Sequence, residues 1–151
     1  MTNAVEKVFW SIAFPGFGQL LNGKLIKGLV FIFLEYLINV NANLNEVIVF
    51  SFIGNISNAI EKTNYEWMMF YPCVYCFAIW DAYRDAGGGQ SSYAFLPSVF
   101  AAYFGTLGVT FSPVFTIVGV MPGPILLGLT GMISGALLGW ITQAIITSRS
   151  N

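Results

Sequence analysis

The chain has 151 residues, of which 56% are hydrophobic and only 9% charged, and its mean hydropathy is strongly positive. That composition lies outside the range of soluble domains and predicts an integral membrane protein. A formal net charge of -1, with six basic residues scattered along the sequence, offers no dense cationic surface for phosphates and argues against a nucleic-acid partner.

The opening MTNAVEKVFW carries one lysine and one glutamate ahead of a short apolar stretch, without a small-residue cleavage pattern behind it. It is expected to be retained in the mature protein. Thr2 and a cysteine-free C-terminus give no lipidation signal. Val8 to Leu21 is apolar enough to enter a membrane but too short to cross it as a straight helix. Pro15, Gly16 and Gly18 would interrupt its hydrogen-bond ladder, so a re-entrant or short interfacial segment is predicted. Leu25 to Asn41 follows as a first span, with Lys24 and Lys27 able to snorkel at its start and Glu35 in its middle.

After a polar break at Asn39 to Asn45, the residues Val49, Phe52, Ile53, Ile56 and Ile60 recur at helical spacing. Ser51, Gly54, Asn55, Asn58 and Lys62 lie opposite them, which predicts an amphipathic surface helix over 45–62. Tyr65 to Tyr83 is a second span, with Trp67 and Trp80 near its ends and a bend at Pro72. Asp85 to Ser92 is a flexible polar loop. From Ala86 to Ser148 no residue is charged. This run holds a third span from Tyr93 to about Val120 kinked at Pro113, a tight turn at Met121 to Pro124, and a fourth span from Ile125 to about Thr147. The expectation is one all-α domain, a polytopic bundle of four spans, with a seam at residues 86–92.

If the first segment turns back, Lys7, Lys24, Lys27, Arg84 and Arg149 fall on one side and Lys62 alone on the other. Both termini are then cytoplasmic by the positive-inside rule, in a bacterial cell membrane. A fully crossing first segment gives five spans and places Lys7 outside.

Pro15-Gly16-x-Gly18-Gln19, then Gly23, then Lys27-Gly28, with a later aromatic-rich helix ending Trp80-Asp81-x-Tyr83-Arg84, resembles small bacterial membrane proteins of the two-transmembrane-helix domain family. The resemblance covers Val8 to Arg84. It implies a helical hairpin with a glycine-rich entrance and an acidic residue near its exit, and no shared enzymatic activity. The insertion at 45–62 and the hairpin after Ser92 depart from the two-helix pattern.

Three groups are candidates for function. Gly128, Gly131, Gly135 and Gly139, with Ser134, put small residues on one face of the last helix, where two backbones approach closely in lipid. The partner is either a helix of the same chain or another copy. Glu35 is either a proton or cation site or a carboxyl satisfied by Asn39, Gln19 or Gln143. Asp81, Arg84 and Asp85 sit at one helix end, where an Asp81–Arg84 pair would anchor charge. Cys73 and Cys76 lie in an apolar segment and are expected to pack there rather than act as a redox pair.

The sequence has no histidine, which removes the usual general base and the histidine-based metal sites. No enzyme, cofactor or metal site is expected. Expected partners are the bilayer and other membrane helices. The chain is expected to act by helix association, as an accessory or scaffold subunit. The alternative is a small oligomeric channel or transporter for protons, cations or small solutes.

Overall fold

The computed structural model describes residues 3–150, with Ser150 by its backbone alone, and Met1, Thr2 and Asn151 lie outside it. Its elements are helical throughout: α1 Ala4–Ala13, α2 Phe17–Leu21, α3 Leu25–Ala42, α4 Leu44–Phe52, α5 Ile56–Lys62, α6 Tyr65–Met68, α7 Tyr71–Asp85, α8 Leu96–Phe111 and α9 Gly123–Ser150.

Helix α1 starts under an Asn3 cap, whose side chain accepts from the Val5 amide, and stops at Phe14 in extended backbone. That stop follows from Pro15, which excludes the helical conformation from the residue before it. Gly16 then takes φ +105° and Gly23 φ +73°, so the chain reverses around α2. At ten residues α1 spans about 15 Å, too short to cross a hydrocarbon core of roughly 30 Å. It packs on α2 and α7.

Among the described residues α3 and α9 are long and apolar enough to cross a membrane. Two of the four expected spans therefore reach that length. The second is divided at Met69 and Phe70 into α6 and α7, and Pro72 does not bend a long helix but sits in the first turn of α7, where no amide partner is needed. The third is shorter than expected, because α8 ends at Phe111 and Pro113 follows in a turn.

The reversal before α9 is also displaced from its expected place. Ile117 and Val120 exchange two backbone hydrogen bonds of 2.8 and 2.9 Å, and Val118 and Gly119 between them take φ +51° and +80°. Met121 to Pro124 is not the turn, since proline is accommodated at a helix start and α9 begins at Gly123. Val118 is 99% exposed and, being β-branched, is costly in this left-handed conformation. Val118→Asn should therefore raise the stability of the detergent-solubilised protein by about 1 kcal/mol. Thermal unfolding followed by circular dichroism checks this, and a lower melting temperature would contradict the turn.

The expected surface helix over 45–62 is two helices, α4 and α5, folded on each other across Gly54 at φ +81°. Its faces are not those expected. Leu44, Val47 and Ser51 are buried on α4 and Ala59 on α5, whereas Phe52 and Ile53 point outward. The break at Gly54 removes the common helical phase on which the longer pattern depended. Leu44, Val47 and Ala59 join Ile38, Ala42, Met68 and Val109 in one apolar cluster, and α4 and α5 pack against α9.

Candidate functional site

Three constructions bring the candidate residues into contact. The first is the seam between α8 and α9, the most extensive helix pair of the fold. A Cβ at Gly131 would overlap the Phe104 carbonyl oxygen, one at Gly135 that of Phe100, and one at Gly139 that of Leu96. Gly128 lies against Val109, and Gly108 of α8 meets the Leu127 carbonyl. These glycines thus face α8, a helix of the same chain. Ser134 donates to the Gly131 carbonyl of its own helix at 3.0 Å and is exposed.

The second is a polar junction at one end of α1, α2, α3 and α7. A Cβ at Gly18 would collide with Ser11, the Lys7 carbonyl and Ala82, so only glycine lets α2 enter there. Gln19 is fully buried, and its Nε2 donates to the Ala78 carbonyl at 2.8 Å and to Asp81 at 3.1 Å. Asn22 donates to the Ala82 carbonyl at 2.8 Å and accepts from the buried Lys7 ammonium at 2.9 Å. Lys7 also donates to the Leu21 carbonyl at 3.1 Å. Lys27 bridges Asp81 at 2.7 Å and Asp85 at 2.9 Å.

The expected Asp81–Arg84 pair does not form. Asp81 and Asp85, one turn apart, both face α3, while Arg84 lies over the Trp80 ring with its guanidinium carbon 6.0 Å from the centroid. Gly16, Gly18, Gln19, Lys27, Gly28 and Asp81, the short motifs of the N-terminal half, thus converge on one junction. Gly23 closes the turn, and a Cβ there would meet nothing within 4 Å.

The third is a cavity of about 210 Å³ between the N-terminal helices and the α8–α9 hairpin. Glu35, only 6% exposed, is on its wall, and among the described residues its Oε2 has no hydrogen-bond partner. None of the side chains expected to satisfy it does so. Asn39 donates to Asn45, Gln19 to α7 and Gln143 to Ser91. The polar neighbour of the carboxyl on the same wall is instead Tyr71. Tyr71 stacks on Tyr75 with centroids 5.5 Å apart, and the Tyr75 hydroxyl is committed to the Ile12 carbonyl at 2.7 Å. Apart from Glu35 and these two tyrosines the walls are apolar, and they include Pro15 and Gly128.

No protein-family model, no curated protein and no solved structure matches this chain. What it can do chemically therefore rests on these contacts. Cys73 and Cys76 are unbonded to each other, Cys73 lying 3.6 Å from the Thr106 hydroxyl and Cys76 3.8 Å from the Met132 sulfur. Both act as contacts between α7 and the C-terminal hairpin. Among the described residues no cluster of three or more histidine, cysteine, aspartate or glutamate side chains could hold a metal ion.

Sequence reasoning missed Lys7, Asn22 and Tyr71. Each signal was present locally, as a lysine within an apolar helix, an asparagine beside a glycine turn, and a tyrosine one turn from another. The partners of Asn22 and of Glu35 are dozens of residues away, and no local pattern identifies them.

Proposed function

We propose that this chain is a multi-pass protein of the bacterial cell membrane that binds a small solute at Glu35 and passes it across the bilayer. The observation that carries this is the buried carboxyl with an unpaired oxygen on the wall of a cavity. A carboxyl removed from water without compensation is expensive, and in a membrane protein such a group marks a pathway or binding site. Membrane residence is supported by α3 and α9 and by the apolar side chains on the outward faces of the bundle, among them Ile26, Phe33, Phe77, Tyr103, Ile133 and Trp140.

Four membrane-embedded segments, α3, α6–α7, α8 and α9, with α1 and α2 turned back, put Lys7, Lys24, Lys27, Arg84 and Arg149 on the cytoplasmic side. The junction of Gln19, Lys27 and Asp81 supports the likeness to the two-transmembrane-helix domain family, because it joins residues from the two ends of that likeness. An accessory subunit recruited through the glycine face finds less support, since α8 fills that face.

In reconstituted vesicles, protein-dependent entry of protons, alkali cations or small organic cations is expected, followed by an internal pH dye and by tracer counting. In Glu35→Gln it should fall at least tenfold, to roughly the level of empty vesicles, with an unchanged thermal melt. Equal flux in the variant and the parent protein would remove Glu35 from the path.

A further inference from the structure

We infer that the cavity at Glu35 takes a monovalent organic ammonium ion with a short apolar body, admitted sideways from the lipid. The inference rests on the solute-binding function proposed above and specifies its ligand class.

The cavity is too large and too apolar to be explained by a proton alone. At about 210 Å³ it exceeds the cavity of about 150 Å³ that holds benzene in another protein, so it suits roughly six to nine non-hydrogen atoms. A membrane phospholipid is several times too large. Water finds few of the polar partners it needs, because Tyr75 is already bonded to Ile12 and the remaining walls are hydrocarbon. Metal cations are poorly served, since calcium seeks six to eight oxygen ligands and one carboxyl with one free phenol does not supply them.

An alkylammonium ion matches what is present. One N–H would meet the Glu35 carboxyl on the cavity wall in a charge-assisted hydrogen bond. The rings of Tyr71 and Tyr75 line the same cavity, and aromatic groups favour a nearby cation. The alkyl chain would then lie among Leu44, Met68, Val109 and Ile125. Anions meet an uncompensated carboxyl, because no lysine or arginine lines the cavity.

Entry is lateral. Ile12, Phe52 and Leu129 line the cavity and are also exposed on the outer surface. Their side chains come from α1, α4 and α9, so the opening faces acyl chains.

The test is equilibrium dialysis of radiolabelled n-hexylamine against the full chain in phosphatidylcholine nanodiscs, with empty nanodiscs subtracted. Saturable binding is expected, competed by excess unlabelled hexylamine and not by hexanoate. Glu35→Gln should weaken it at least tenfold, as loss of one partner of a buried charge pair does. Leu129→Trp, which obstructs the mouth and leaves Glu35 intact, should weaken it similarly with an unchanged melting temperature. Hexanol binding as tightly as hexylamine, with Glu35→Gln indifferent, would overturn the ammonium class and leave the solute site standing. No saturable hexylamine binding, alongside protein-dependent cation flux in vesicles, would also overturn the class alone. No binding together with no flux would overturn the class and the solute-binding function.

Discussion

Gly135→Leu is expected to destroy the pairing of α8 with α9. A Cβ at this position already overlaps the Phe100 carbonyl oxygen and stands 3.0 Å from the Ala101 Cα, and backbone cannot swing aside as a side-chain tip can. Overpacking of ordinary cores costs about 1–3 kcal/mol, and a leucine against the helical backbone of α8 should exceed the upper end. The expected result is a folded fraction too small to purify, or a melting temperature depressed well beyond that of any surface variant. Leu137→Ala, at a side chain that is 57% exposed, supplies the comparison and should cost well under 1 kcal/mol. Equal stability of the two variants would show that α8 does not occupy the glycine face.

Gly18→Ala should expel α1 from the polar junction. The added methyl would stand 2.6 Å from the Lys7 carbonyl oxygen and 2.7 Å from the Ala82 Cβ, so either α1 or α7 must move. The expected cost is about 2 kcal/mol or more. It should appear locally, as faster amide hydrogen exchange across α1 with little change in α9. Gly23→Ala separates sterics from backbone conformation, because space is open around Gly23 while its φ is +73°. That change should cost about 1 kcal/mol and leave exchange in α1 near its parent rate. If Gly18→Ala leaves α1 as protected as before, the three-way packing at Gly18 is not present.

The contrast between those two glycines indicates what the sequence could disclose. The four-residue spacing of Gly131, Gly135 and Gly139 is a property of one helix, and it identified a packing face without naming the partner. The complementary surface, Ala101, Gly105 and Gly108, mixes spacings of four and three among aromatic residues, and it becomes visible only with α9 against it. The break at Pro15 was legible because proline constrains its neighbour whatever the context. The partners of Gln19 and Lys27 lie on α7, far along the chain, and only folding brings them together.

Span lengths were misjudged for a related reason. Hydropathy varies smoothly through Met69–Phe70 and Phe111–Pro113, but the hydrogen-bond ladder does not. The candidate site at Glu35 was legible as a residue and illegible as a place, because its cavity is assembled from seven helices and its polar neighbour Tyr71 begins the helix after the break.

The regular spacing of the seam has a further effect on the hairpin itself. Sliding α9 by four residues, about 6 Å at 1.5 Å per residue, would bring Gly139 to Phe100 and Gly135 to Phe104, but it would also set Gln143 against the Leu96 carbonyl, where Gly139 now lies with no room for a Cβ. The opposite slide would drive Leu127 into the Phe104 carbonyl. The seam thus fixes its own register from both ends, and a run of equally spaced glycines admits one position of α9. The Ser112–Pro122 connection and Ile56 packed against Gly123 agree with that register. Lengthening that connection should therefore leave the register of the hairpin unchanged.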